Sequence, residues 1–430
     1  MAQHKQHAAR RGASPWLVGG VAALAVIVVG ALVLVITNSG GSPPPSASAP
    51  KTTTTDAAQR QASEEQARAQ LAAKLASAVT VSPAAGATAV VPSSPVTVTT
   101  TEGQLSNVIV SSAAGAAVAG TMAAGSQQWT SSAPLAVATT YTVTGEVAGT
   151  DGITAPFHSS FTTLTPTETV TNTLFPLDGD VVGVGQPVVV RFNHPISTAA
   201  EQASVLLHLT VAESQPVPGG WHWFSEYELH FRPEAYWPTG EKISVTSDLN
   251  GWDAGAGRWG AGHVNVKFSI GDAHISVAHL DTHVMTVSDN GNVVATYPIS
   301  AGSTVYPTMN GIHIAMDKES VVHMVSSTVG IPVNSPAGYD EMVYSDVHIS
   351  DSGEYVHAAP WSVNAQGNTN VSHGCINLAP ANAAAFMAFS QIGDIIQVVG
   401  GPRPPVYGDH GVMDWDTAWS QFTPATVAQL

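Results

Sequence analysis

The sequence predicts a mainly β chain: an N-terminal transmembrane helix, two antiparallel β-sandwich modules, and a last domain that is mixed but mostly β. Three observations carry this. Trp16 to Ile36 is a run of 21 residues without a charge, enough to cross a hydrocarbon core of ~30 Å as a helix. From Val79 to Gly271, short runs of alternating polarity are punctuated by Gly and Pro, the pattern of antiparallel sandwiches. Beyond Asp272, Val284-Met285-Thr286-Val287-Ser288 and Val293-Val294-Ala295-Thr296-Tyr297 flank Asp289-Asn290-Gly291-Asn292, and Asn-Gly between alternating runs is a strong hairpin signal.

Lys5, Arg10 and Arg11 precede the apolar run, and Lys51 is the next base after it. The positive-inside rule then places 1–15 in the cytoplasm and the rest of the chain outside. A cleaved signal peptide is the rival, with Ala47-Ser48-Ala49 as the cleavage site. Its apolar core would be about 7–15 residues, shorter than this one, so an uncleaved anchor over 16–36 is preferred. Residues 37–78 form a Gly/Ser/Pro/Thr-rich spacer and then an Ala/Gln/Glu/Arg-rich helical stalk, with Asp56 as a candidate cap and an apolar face made mostly of Ala.

The modules follow at 79–166 and 167–271, and both look like immunoglobulin-like spacers. The second carries an aromatic stripe: Trp221, Trp223, Tyr227, Phe231, Tyr236 and Trp237. Such a stripe is a sugar platform or, as expected here, a sandwich core. His222, His230 and His263 show no metal spacing with any cysteine and read as ordinary. Residues 272–400 form the last domain. Residues 401–430 form an extension expected to pack on it, with Trp415 and Trp419 four apart on one helical face.

Composition narrows the function. Hydrophobic residues make up 44% of the 430 and charged residues only 10%, with a formal net charge of -17. With Lys5, Arg10 and Arg11 set aside, 11 basic residues face 31 acidic ones. That surface repels nucleic acid and offers no basic patch for phosphates. There is one cysteine, Cys375, so no intramolecular disulfide forms.

A thiol nucleophile needs a histidine within hydrogen-bond reach, a third group to hold that histidine in one tautomer, and backbone N–H groups facing the oxyanion. The stretch from Gly353 to Pro380, GEYVHAAPWSVNAQGNTNVSHGCINLAP, holds Cys375 with two candidate bases, His357 and His373. Gly374 permits a tight turn at the sulfur. The helix expected from Pro380 starts close behind the thiol and favours its anion. Two other readings fit the same spacing: a turn with a packed thiol, and a zinc site of His357, His373 and Cys375 with one open position.

SHGCIN, from Ser372 to Asn377, with YVHAAPW upstream, resembles the L,D-transpeptidase catalytic domain. That family's pattern is a histidine, a loop of somewhat under twenty residues, Ser/Thr-His-Gly-Cys, and Asn or Arg two positions on. The resemblance extends to a lid-like region, Ser326 to Tyr339, to both β modules and to the Trp-bearing tail, as in the actinobacterial multi-domain form. It implies that Cys375 attacks the donor carbonyl to form a thioester and that His357 takes the thiol proton. It implies that the backbone carbonyl of Ala358 orients His357, and that the Gly374 and Cys375 N–H groups form the oxyanion hole. Tyr339, Ser352, Gly353 and Asn377 match substrate-contacting positions, and Met324 and Trp361 match lid and pocket-wall positions. Ser372 and His373 belong to the motif and shape the site. The implied substrates are peptidoglycan tetrapeptide stems, the implied inhibitors are carbapenems, and neither metal nor organic cofactor is implied.

Overall fold

The structure is a computed structural model that describes residues 53–425 and 428–429. The expected cytoplasmic tail, the span at 16–36 and the spacer up to residue 52 lie outside the described residues. Among the described residues no helix is long and apolar enough to cross a membrane. Residues 63–430 form one compact unit.

The Ala-, Gln- and Glu-rich run forms a helix, Thr53–Ser77, with Asp56 inside its first turn rather than capping it. This helix is more than a stalk. Leu75 is buried in the core of the first module beside Val98, Trp129 and Phe161, and Lys74 pairs with Glu102 at 2.9 Å. That module is two four-stranded sheets. One orders Val79–Ser82, Thr97–Thr100, Gln128–Ser131 and Gly120–Met122; the other orders Ala117–Val118, Gln104–Ser112, Thr140–Ala148 and Thr154–Thr162. Strict alternation at the start of Thr140–Ala148 turns Tyr141 and Val143 inward.

The second module is built on two five-stranded sheets. Trp221, Phe231 and Trp237 are buried in its core, Trp223 and Tyr236 pack against that core, and Tyr227 is exposed. The aromatic stripe is thus chiefly packing. The outermost strand of each sheet comes from the chain's end: Thr423–Pro424 pairs with Gly220 and Trp221, and Ala428–Gln429 pairs parallel with Ala212 and Glu213. The extension therefore completes the second module as well as touching the last domain, which corrects the sequence expectation. Nor do Trp415 and Trp419 share a helical face. Trp415 lies in the short helix Met413–Asp416, Trp419 in the 3-10 turn Trp419–Gln421, and Thr417 between them is extended. Both rings, with Phe422, surround the guanidinium of buried Arg232 at 4.6, 5.1 and 4.3 Å. Desolvated cation–π contacts favour a wrapped arrangement over a regular helix face.

The last domain pairs two sheets. The first orders Asn292–Pro298, Val284–Asp289, His274–His279, Ile395–Val399 and Gly311–Ile314; the second orders Asp317–Val325, Asp340–Ser350, Glu354–Ala358 and Ile376–Leu378. Asn290 and Gly291 have φ of 47° and 82°, the left-handed pair that a two-residue hairpin turn demands. Met285, Val287, Val347, Val356 and Ile376 fill the space between the sheets, joined by Ala383 and Phe386 of the helix Pro380–Phe389.

Candidate active site

The second sheet places the chemistry. Strand Glu354–Ala358 runs parallel to Ile376–Leu378 with His357 opposite Asn377. Val356, Ala358, Ile376 and Leu378 turn into the core, so period-2 alternation sends His357 and Asn377 to the other face. Cys375, two residues before Asn377, joins them. All three line one cavity of about 280 Å³.

His357 is buried, and its Nδ1–H donates to the Ala358 carbonyl at 3.1 Å. That bond selects the tautomer with its lone pair on Nε2. Burial pulls its pKa down to about 4, against the opposing pull of the Ala358 carbonyl. Cys375 sits at the cavity wall with its S–H directed to the Gly353 carbonyl at 3.7 Å. Burial pushes the thiol up to about 12, while the Tyr355 N–H favours the anion and the Glu354 and Asp346 carboxylates oppose it. Both shifts act in one sense: the resting pair is a neutral thiol and a neutral imidazole.

The expected help from a helix is not built here. Strand Ile376–Leu378 stands between the thiol and the helix at Pro380, and the influence of a helix end fades within its first turn. Gly374 has φ of +136°, a backbone region that other residues enter only with strain. Its N–H donates to Ser372 Oγ at 3.1 Å, so this donor is engaged rather than free for an oxyanion. Ser372 Oγ in turn donates to the Cys375 carbonyl at 2.6 Å.

The other expected residues divide. Met324, Tyr339, Trp361, Ser372 and His373 line the cavity with Cys375 and His357. His373 lies between the rings of Tyr306 and Tyr339, with centroids 4.8 and 5.1 Å away, so it shapes the wall. Trp361 is 56% exposed, and its ring centroid is 6.0 Å from that of His357. Asn377 Nδ2 donates to Ser362 Oγ at 3.0 Å. The lid-like segment is pinned at its ends, since Ser326 N–H donates to Tyr339 O and Tyr339 N–H to Ser326 Oγ. Ser352 departs from expectation. Its hydroxyl donates to Asp409 Oδ2 at 2.6 Å in the C-terminal extension and does not line the cavity. Gly353 contributes only its carbonyl, facing the sulfur.

Glu341, Val343 and Val371 also line the cavity and went unnoticed in the sequence. No pattern in Glu341-Met342-Val343-Tyr344 marks the first two, since Glu341 is exposed like Met342 and Tyr344. Among the described residues, the group that brings three metal-type ligand atoms together is Asp272, His274 and Asp289, not His357, His373 and Cys375. His230, read as ordinary, is buried between Glu228 and Asp414 at 2.8 and 2.9 Å.

Cys375 and a tautomer-fixed His357 line one cavity, the thiol-and-imidazole pairing that thioester acyl transfer uses. A family model described as the L,D-transpeptidase catalytic domain matches residues 273–399, and one described as a bacterial Ig domain matches 87–253. L,D-transpeptidase 2 of Mycobacterium tuberculosis is 38% identical over 339 residues, 78% of this chain and 82% of that protein. L,D-transpeptidase 5 of the same species is 34% identical over 352 residues, 80% of this chain and 76% of that protein. A solved L,D-transpeptidase in complex with imipenem is 39% identical, covering 54% of this chain and 100% of that one at a TM-score of 0.48. The chain belongs to the L,D-transpeptidase family.

Proposed function

We propose that the protein forms 3-3 cross-links between peptidoglycan stem peptides through a thioester on Cys375. The observation that carries this is the shared cavity of Cys375 and His357, with Nδ1 of the histidine committed to Ala358 O. The thiol sulfur attacks the carbonyl that precedes the terminal D-residue of a tetrapeptide stem. The thiol proton passes to His357 Nε2 and then to the departing D-Ala amine. The side-chain amine of a second stem attacks the thioester, returns a proton through His357 and restores the thiol. Tyr339, Trp361, Met324 and Asn377 hold the stems; Gly353 offers its carbonyl to a substrate N–H once the thiol has reacted.

The same cavity accepts a carbapenem, whose strained carbonyl acylates Cys375 without a leaving group. The apolar span at 16–36 anchors the chain in the cell membrane, N-terminus inside, and the β modules carry the active site outward into the wall. No organic cofactor or metal enters this scheme.

Incubating the full chain with purified tetrapeptide stems tests the reading. Cross-linked dimer with release of D-Ala is the expected product. Trimmed monomer alone would mean that water is the acceptor, and stem attached to a protein lysine would mean a protein acceptor. Wall binding without any acyl adduct would reduce the molecule to a scaffold.

A further inference from the structure

We propose that Thr308 is a positioning residue for acyl transfer: its hydroxyl aims the Cys375 N–H at the oxyanion. The inference rests on the reading of Cys375 as the acyl-forming nucleophile. Thr308 lies 66 residues from Gly374, in the segment before strand Gly311–Ile314, and is fully buried. Its Oγ1 accepts from the Gly302 N–H at 2.8 Å and donates to the Gly374 carbonyl at 2.7 Å. A hydroxyl has one proton to give, and here it goes to that carbonyl.

A trans peptide is planar, with C=O and N–H pointing in opposite directions. Holding the Gly374 carbonyl on one side therefore sets the direction of the Cys375 N–H on the other. Ser372 Oγ takes the Gly374 N–H at 3.1 Å and donates to the Cys375 carbonyl at 2.6 Å. These bonds engage the Gly374 N–H, the Gly374 C=O and the Cys375 C=O, and leave the Cys375 N–H for the substrate. The φ of +136° at Gly374 gives the peptide plane a tilt that few residues adopt, and the Thr308 bond locks it there.

The step is then balanced. Sulfur adds to the carbonyl carbon as the S–H proton passes to His357 Nε2. The carbonyl π pair moves to oxygen, which accepts from the Cys375 N–H. Collapse of that oxyanion breaks the C–N bond, and the leaving nitrogen takes the proton from His357. An oxyanion donor works by being in place before the charge develops.

The test compares acylation by imipenem with alkylation by iodoacetamide on the full chain. Alkylation displaces iodide at a saturated carbon and forms no oxyanion. Thr308→Val, which keeps the shape and removes the hydroxyl, is expected to slow acylation by roughly 10- to 100-fold, less than the roughly 10²–10³ lost when an oxyanion donor is removed outright. Thr308→Ser is expected to acylate like the wild type. Alkylation and its pH profile should stay within about twofold for both variants, because thiol reactivity follows the thiol's own ionisation. Equal loss in both reactions, or no loss in either, overturns the proposal. Should valine prevent folding, Thr308→Ser against Thr308→Ala gives the same comparison. A wild type that alkylates at Cys375 but never acylates sinks the catalytic reading itself, and this inference with it.

Discussion

Two buried histidines of this molecule are held in opposite charge states. His230 joins the second module to the C-terminal extension. Burial would pull its pKa down, but Asp414 and Glu228 outweigh that and hold it up at about 9. Glu228 is itself held well below the usual carboxylate range, because His230, His410 and Arg191 outweigh its burial. His357, as deeply buried, has one backbone carbonyl as partner and falls to about 4. Carboxylate partners make a buried histidine a permanent cation and a structural rivet. A carbonyl partner leaves it neutral, with a lone pair to use. Charge state is thus decided by what the ring nitrogens face, and function follows from charge state.

The sharpest way to break this contrast is to remove each partner of the proposed catalytic pair. Cys375→Ala should abolish the imipenem adduct seen by intact mass spectrometry, and His357→Gln should slow its formation by roughly 10²–10⁴-fold, the scale of general acid–base catalysis. An adduct that survives in Cys375→Ala places the chemistry elsewhere. Next in size is the joint. Arg232 donates to the carbonyls of Pro233, Asp414 and Thr417 beneath three aromatic rings. Its replacement by Ala should cost about 4 kcal/mol in urea unfolding, since it strands buried acceptors and voids the aromatic cage. Activity per folded molecule should be kept.

The histidine charge states give two pH tests. The folded pKa of His230 lies above the unfolded 6.5, so its stabilisation is complete below about pH 6.5 and is lost as pH rises through 9. The span corresponds to ~3 kcal/mol. Stability measured from pH 7.5 to 9.5 should therefore fall, and His230→Gln should flatten part of that slope, leaving the shares of His410, which Glu228 also holds up, and of Cys375, whose buried thiol stays protonated where the unfolded one ionises. Buried acids with raised pKa, such as Glu213 and Glu354 at about 7, titrate below this window. For His357 the sign is reversed: it is neutral down to about pH 4. The acidic limb of kcat/KM for stem peptide should have its midpoint near 4, and a midpoint at 6.5 would contradict the neutral resting pair.

Much of this was written locally. The meeting of Cys375 and His357 on one cavity was readable from a single stretch, because a strand-borne His357 and the Ser-His-Gly-Cys word are short-range patterns. The hairpin at Asn290-Gly291 was readable because φ above zero restricts the residues allowed there. The β modules showed themselves through alternation, and the aromatic stripe proved to be core for the ordinary reason that large rings bury well.

What escaped the linear reading depends on contacts across long separations. Thr308 meets Gly374, Asp409 meets Ser352, and Asp414 meets His230, at separations of 66, 57 and 184 residues. No period or motif in one chain encodes such a meeting. Ser352 looks like a substrate contact until a carboxylate from the extension claims its hydroxyl. His230 looks idle until two carboxylates close on it. Residue type and spacing settled which chemistry was available. Burial and the partners brought by folding settled which groups carry charge, which are spent on holding the structure, and which remain free to react.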